Sequence, residues 1–345
     1  MAFLMDIWYQ AAWSEEIVDG QPLARTIAGV PVVLFRTSNG SLSALHDQCP
    51  HRFAPLSLGK VEGDTIRCGY HGLAFDKAGQ CVDNLHGPVL RAARTRSYPV
   101  EERHEAVWIW LGNADKADPS FIRDLSMLDD TPDTAKFRGN MPTKANYLLI
   151  MDNILDLSHA NSLHLESLGP LPPGFRMEVA EQDGGVEVTW LAENVEPTLL
   201  AQAVLGKPIP VNQRLNASWR APSVIILDGG SMLPGDNQPY IELTRAIHSM
   251  TPETERTSHY FYAVTRTTDL DNVEMTNAVK AMTLKAFAGE DKPMIEAQQE
   301  RMGTADFWEL KPALFSVDSG AVRARRRIDA MLAAEAAAAS EVGAA

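Results

Sequence analysis

Cysteine is scarce in this chain. There are three among 345 residues, too few for the disulfide framework that staples small secreted domains. Basic residues are outnumbered, with 31 Lys and Arg against 45 Asp and Glu and a formal net charge of −14. That balance argues against non-specific nucleic-acid binding, which needs an electropositive surface. No apolar run approaches the roughly eighteen residues of a membrane span, so no membrane partner is expected. Asp6 stands where a signal peptide would be positively charged, and no long apolar core follows it; a cytoplasmic location is the expectation. Internal repeats and low-complexity linkers are also missing. What remains is ordinary for a globular chain, and its length suggests about two domains.

Two of the three cysteines stand in an informative pattern. Cys49-Pro50-His51 is followed, sixteen residues later, by Cys68-Gly69-Tyr70-His71. Each short segment supplies one thiolate and one imidazole. Zinc also accepts two cysteines and two histidines, but zinc fingers usually keep like ligands together. The mixed order suits a Rieske-type [2Fe–2S] centre, with one iron on the two thiolates and the other on the two imidazoles. Neutral nitrogens in place of anionic sulfurs raise the reduction potential, to roughly −150 to +300 mV. Such a centre takes an electron readily and passes it on. Cys81 reads as a small, partly buried filler.

The first hundred or so residues read as β-rich, with strand-like runs at 30–36, 42–45, 65–67, 73–75 and 107–111 and a hairpin turn at 77–79. Both ligand segments fall between strands. The Asp- and Ala-rich stretch 112–119 marks the expected boundary, dividing the chain into 1–118, 119–330 and an alanine-rich tail, 331–345. Beyond it, residues 147–164 read as a helix. Strand-like stretches follow at 185–191, 214–227, 240–250 and 258–266, and a helix over about 271–302 is interrupted near Pro293.

Within 147–164 lie Asp156, His159 and His164. Five residues advance about 500° around a helix, so the two imidazoles can share a metal only if the helix ends or loosens between them. Histidines near helix ends are common without a metal. A Rieske electron needs an acceptor, however, and a 2-His-1-carboxylate iron with open positions is the usual non-haem oxygen-activating site.

The chain resembles the oxygenase components of Rieske non-haem iron oxygenases, in particular the vanillate and dicamba O-demethylase group. The resemblance runs over residues 7 to 330. It rests on Trp8-Tyr9, on Cys49-Pro50-His51-Arg52-Phe53-Ala54-Pro55-Leu56-Ser57, and on Cys68-Gly69-Tyr70-His71-Gly72-Leu73. It continues through Asp152-Asn153-Ile154-Leu155-Asp156-Leu157-Ser158-His159 with His164, then Thr251-Pro252-Glu253-Thr254-Glu255, and Glu290-Asp291-Lys292. It implies an α+β chain: an N-terminal all-β Rieske domain and a C-terminal helix-grip (START-like) domain around an antiparallel sheet. Cys49, His51, Cys68 and His71 match the cluster ligands. His159, His164 and Asp291 match the ligands of a mononuclear Fe(II); spacing alone does not separate Asp291 from Glu290, Glu296 or Glu300. Asp156 matches a carboxylate that links His159 to a Rieske histidine of a neighbouring subunit, and Asn153 an asparagine near the iron that could equally brace its helix. A homotrimer with head-to-tail electron transfer, a ferredoxin and an NAD(P)H-dependent ferredoxin reductase are implied in the same way.

The implied reaction inserts one oxygen atom from O2 into a substrate C–H bond. Where that carbon bears an ether oxygen or amide nitrogen, the product collapses with release of an aldehyde. His248 matches a histidine that contacts acidic aromatic substrates in this group; an ordinary strand histidine is the alternative. Leu227 stands near where the acid-binding pattern has asparagine, and Met282 where it has an aromatic. These departures point to a small, neutral, apolar aromatic substrate such as an anilide or aryl ether. The alternatives are a methoxybenzoate-type acid or ring dihydroxylation. Arg91, Arg94 and Arg96, and Arg323, Arg325, Arg326 and Arg327, form local basic clusters that could dock an acidic ferredoxin or simply face solvent. An electron carrier of the Rieske domain alone is a rival reading, but roughly a hundred residues suffice for it and over two hundred more follow. A zinc-bearing binding module is the other rival.

Overall fold

The computed structural model describes residues 3–343 except 90, 170, 172, 198–200, 203–208 and 236–240. Tyr240, in the strand expected at 240–250, and residues 344 and 345 of the tail lie outside them. The chain divides into two compact units, one of Phe3–Asp124 with Thr251–Thr254, the other of Leu125–Met250 and the remainder from residue 255.

The first unit is built from short antiparallel strands: β1 (Trp8–Trp13), β2 (Leu23–Ile27), β3 (Val30–Arg36), β4 (Leu42–His46), β5 (Lys60–Glu62), β6 (Thr65–Arg67), β7 (Ala74–Asp76), β8 (Cys81–Asp83), β9 (Val100–Arg103) and β10 (Ala106–Trp110). They form three sheets, ordered β1-β10-β9, β2-β3-β4 and β5-β6-β7-β8. β3 shows why its sequence lacks alternation. Val32 and Leu34 face a core shared with Tyr9, Ile27 and Ile109. Val33 and Phe35 face a second core shared with Leu56, Ile66, Cys49 and Cys68. A strand buried on both faces must be apolar throughout. The run Thr251–Thr254 completes this unit: the Thr251 hydroxyl donates to the Gln10 carbonyl at 2.7 Å, and the Ala28 and Gly29 amides donate to the carbonyls of Pro252 and Glu253.

The second unit holds a seven-stranded sheet. Its strands are β11 (Lys136–Thr143), β12 (Arg176–Gln182), β13 (Gly185–Val195), β14 (Val211–Arg220), β15 (Val224–Met232), β16 (Ile241–Thr254) and β17 (Thr257–Arg266). Their order is β11-β17-β16-β15-β14-β13-β12, with antiparallel pairing between β11 and β17 and from β12 through β16. The single stretch expected at 214–227 is two strands. Pro222, which has no N–H to give a ladder, lies between β14 and β15.

The longer helices among the described residues are α1 (Tyr147–Leu155), α2 (Val273–Ala286), α3 (Lys292–Met302) and α4 (Ser319–Gly343). The alanine-rich tail is continuous with α4 as far as Gly343, because alanine is the best helix former. The helix expected over 271–302 is interrupted ahead of Pro293, by a π-helical turn at Phe287–Asp291. Pro293 offers no N–H to the Gly289 carbonyl and crowds it, and a widened turn relieves that clash. Among the described residues no helix is long and apolar enough to cross a membrane.

Candidate metal centres

The two cysteine–histidine segments adopt the same local fold. The Cys49 amide donates to the Ala54 carbonyl and the Phe53 amide to the Cys49 carbonyl, at 2.8 and 2.9 Å. The second loop repeats this with Cys68, Leu73 and Gly72, at 2.8 and 3.1 Å. Each loop closes through a left-handed residue, Phe53 (φ 60°) in the first and Gly72 (φ 76°) in the second. Glycine accepts that conformation freely. It also leaves room at position 72, where a Cβ would stand 2.4 Å from a Leu85 methyl.

These loops bring the two thiols beside each other and the two imidazoles beside each other, with a polarity. Cys49 and Cys68 are buried in the core behind β3, whereas His51 is exposed and His71 half-buried. The two imidazole rings lie 4.5 Å apart, centroid to centroid. Burial pushes the Cys49 thiol up to about 11, with the neighbouring Cys68 adding to the shift. A pair of buried thiols beside two outward imidazoles suits a two-iron cluster whose nitrogen-ligated iron faces solvent.

The second centre lies at the end of α1. Asn146 caps that helix, its side-chain oxygen accepting from the Leu148 amide at 2.9 Å. α1 ends at Leu155, and Asp156 is extended. The Asp156 carboxylate accepts from the Ser158 amide at 2.9 Å and so starts the 3₁₀ turn Leu157–His159. One further helical turn, Ala160–Leu163, leads to His164. The expected single helix over 147–164 is thus broken, as a shared metal requires.

His159 and His164 face one another with Nε2 atoms 3.1 Å apart. Asp291 Oδ1, from the π-helical turn, is 3.5 Å from His159 Nε2 and 3.3 Å from His164 Nε2. His159 Nδ1 lies 2.5 Å from the Asp156 backbone carbonyl, and His164 Nδ1 lies 2.7 Å from Glu290 Oε2. These partners take the Nδ1 protons, which leaves both Nε2 lone pairs aimed at each other and at a carboxylate oxygen. Such a set repels itself unless a cation sits within it. Donors about 2.1 Å from one metal and about 90–110° apart would themselves be about 3.0–3.5 Å apart, the spacing observed. Burial works against the His164 imidazolium, yet Asp291 and Glu290 outweigh it and raise its pKa, so the site attracts positive charge. Burial also works against the Glu290 carboxylate, but hydrogen bonds from Ser167 and His164 hold its pKa below the usual range.

Asn153 is beside the same group. Its amide donates to Asp291 Oδ1 at 3.0 Å, and its oxygen is buried without a hydrogen-bond partner. A cavity of about 250 Å³ opens on the three side chains, and both Leu227 and Met282 line it. His248 does not. It is fully buried, with Nδ1 2.6 Å from the Tyr260 hydroxyl and its ring edge against Phe287. Burial lowers its pKa to about 3, so the ring is neutral. Sequence reasoning did not single out Ser167 or the Asp152–Arg325 pair; it named Asp291 through the resemblance, while spacing alone did not separate it from Glu290, Glu296 or Glu300. Nothing in the local pattern marks Ser167 or that pair.

Comparison with known proteins agrees with this geometry. Residues 7–98 match the Rieske [2Fe-2S] domain, and residues 143–334 match the vanillate O-demethylase oxygenase C-terminal domain. The chain therefore belongs to the Rieske non-haem iron oxygenases, in the family that carries the vanillate O-demethylase oxygenase C-terminal domain, and it holds a [2Fe–2S] cluster. It is 36% identical to the oxygenase component of chloroacetanilide N-alkylformylase from Rhizorhabdus wittichii, over 96% of this chain and 97% of that one. It is 35% identical to the oxygenase component of dicamba O-demethylase from Stenotrophomonas maltophilia, over 98% and 100%. Dicamba monooxygenase bound to 3,6-dichlorosalicylic acid superposes with a TM-score of 0.89 at 34% identity, covering 98% of this chain and all of that chain. The expectation of an α+β Rieske non-haem iron oxygenase stands.

Proposed function

We propose that this oxygenase removes an alkyl group from a small neutral aromatic molecule, releasing an aldehyde. The observation that carries the substrate class is the cavity wall. Leu215, Leu227, Ala246, Val264 and Met282 contribute to it, and no lysine or arginine lines it among the described residues. A carboxylate would enter without a lysine or arginine partner, at the cost of desolvating a charge. His248 is buried, neutral and outside the wall, so it offers an acid no cation.

Cys49, Cys68, His51 and His71 hold the cluster; His159, His164 and Asp291 hold the mononuclear iron. When bound, the cluster supplies single electrons and the iron supplies the open positions at which O2 is activated. Asn153 braces Asp291 through its amide. Asp156 fixes His159 through its backbone carbonyl, while its carboxylate starts the turn that carries that histidine. The apolar wall excludes water and presents the alkyl carbon to the metal.

Electrons come from NAD(P)H through a reductase and a ferredoxin, and the chain works as a homotrimer in which each cluster serves the next subunit's iron. Two exposed apolar surfaces support this ring. Phe53, Leu58, Tyr70 and Leu85 stand exposed on or beside the cluster loops. Met294, Leu314 and Phe315 are exposed at an opening of about 360 Å³ that Asp156 and His159 also line.

The test is aldehyde release by iron-replete protein supplied with a ferredoxin, a reductase and NADH. Neutral aryl methyl ethers and N-alkyl anilides should yield aldehyde while methoxybenzoates do not. Aldehyde from methoxybenzoates alone would overturn the neutral-substrate reading, and a diol without aldehyde would overturn dealkylation.

A further inference from the structure

Gln213 and Ser231 break the apolar pattern of the cavity. Along β14, the inward residues are Val211, Gln213, Leu215, Ala217 and Trp219, so one amide occupies a position where its neighbours are hydrophobic. Gln213 is 4% exposed and Ser231 1%. Both line the cavity. Gln213 Oε1 and Ser231 Oγ are buried with no hydrogen-bond partner among the described residues. The register puts the two residues directly opposite one another on β14 and β15, where facing Cβ atoms lie about 5 Å apart.

Their position in the sheet is remote from the metal ligands. The rung of His248 and Ile225 packs toward the π-helical turn through the His248–Phe287 contact. Leu227 is two rungs further along β15, and Ser231 lies four residues beyond Leu227, about 13 Å along an extended strand. Leu215 and Gly229 face each other between these two points. At Gly229 a Cβ would approach a Leu215 methyl to 3.1 Å, so the missing side chain leaves the middle of the wall smooth. The wall along these strands is therefore mainly apolar; Thr244 and Thr283 also line the cavity, and Gln213 with Ser231 forms a facing neutral pair on β14 and β15.

An unpaired buried amide oxygen and hydroxyl are unfavourable until something completes them. The oxygen of Gln213 needs a donor. The Ser231 hydroxyl can donate to an acceptor beside it. In the orientation observed, a carboxylate or sulfonate, which supplies acceptors only, would leave Gln213 Oε1 unmatched, and no lysine or arginine among the described lining residues would offset its charge. We propose that Gln213 and Ser231 form a substrate subsite for a neutral secondary amide, with Gln213 Oε1 accepting the amide N–H and Ser231 Oγ donating to its carbonyl. This deepens the neutral-substrate reading above and rests on it. The subsite would hold the amide end of an aromatic molecule whose alkyl ether or N-alkyl end meets the iron.

The experiment uses the iron-replete enzyme with ferredoxin, reductase and NADH, and two probes. One is 4-methoxyacetanilide; the other is 4-propylanisole, which has the same methoxy group and no amide. Gln213→Leu should raise KM for 4-methoxyacetanilide about tenfold, with kcat nearly unchanged and KM for 4-propylanisole within about twofold. Ser231→Ala should move the same way by a smaller factor. Binding of 4-methoxyacetanilide by titration calorimetry, without turnover, should weaken in parallel. Equal losses on both probes, or no loss on the amide, would overturn the subsite. If wild-type protein turns over neither probe but does demethylate methoxybenzoates, the neutral-substrate reading itself has failed. Should Gln213→Leu not fold, Ser231→Ala decides on the same criteria.

Discussion

Asp291 and Glu290 are adjacent carboxylates with different tasks. Asp291 points at the two Nε2 atoms, while Glu290 holds the far nitrogen of His164 at 2.7 Å and is itself held by Ser167. A carboxylate behind a metal-ligating imidazole fixes its ring and tautomer and strengthens it as a donor. Glu290→Gln keeps the shape and removes the charge, so mononuclear iron affinity should fall by about 10–100-fold. Iron content after dialysis against a chelator measures this, and an unchanged Rieske visible spectrum checks that the cluster is intact. His248 carries the pH prediction. Its folded pKa of about 3 lies below the unfolded value of about 6.5. Below that unfolded value the unfolded chain binds a proton that the folded chain refuses, so stability falls as pH drops from about 6.5 toward 3. Between pH 7 and 5 the wild type should lose about 2 kcal/mol more than His248→Phe, read from urea midpoints; parallel losses would refute the assignment.

At the scale of elements, the decisive features are two places where a helix stops being regular. α1 must end at Leu155 so that His159 and His164 can converge, and Asp156 ends it by adopting an extended conformation and capping the next turn. The π-helical turn Phe287–Asp291 sets the direction of Asp291; one extra residue per turn rotates it by roughly 100° from its place in a regular helix. α1 is in turn tied to α4. Arg325 makes a bidentate pair with Asp152, at 2.6 and 2.9 Å, and stacks over Phe307. Arg325→Met should destabilise the second unit by about 2–3 kcal/mol, less than a fully buried pair would cost because Asp152 keeps some exposure. Pairing it with Asp152→Asn should recover much of that loss in the same denaturation measurement.

For the whole molecule, the two proposed metal centres differ in how they are held, a sulfide-bridged two-iron cluster on four ligands against a single iron on three, and their removal should be separable. Loaded protein should contain about three irons per chain, two in the cluster and one mononuclear. Mild chelation should remove one, abolish aldehyde release and leave the red-brown colour; adding Fe(II) back should restore turnover. Loss of colour in step with the first iron would contradict the assignment of two centres. Light scattering should give about 114 kDa for the proposed trimer, three times 37.9 kDa. A monomer that still turns over would remove the head-to-tail scheme.

The cluster loops, the two-domain order and most strands were legible because their signals are local. Ligand identity and spacing specify the Rieske pattern, and runs such as Val30–Arg36 carry their burial in their composition. His159 and His164 were legible as candidates, with the added inference that their helix must break. Tertiary structure alone decided the rest. The resemblance points to Asp291, but the turn that aims it, and not Glu290, at the histidines is a π-helical one just ahead of Pro293. His248 is sealed beneath Tyr260 instead of lining the cavity, since neighbouring strands and the Phe287 ring cover it. Gln213 meets Ser231 only through the register of two strands. Such facts depend on which distant side chains share a cavity, and no local window of sequence contains them.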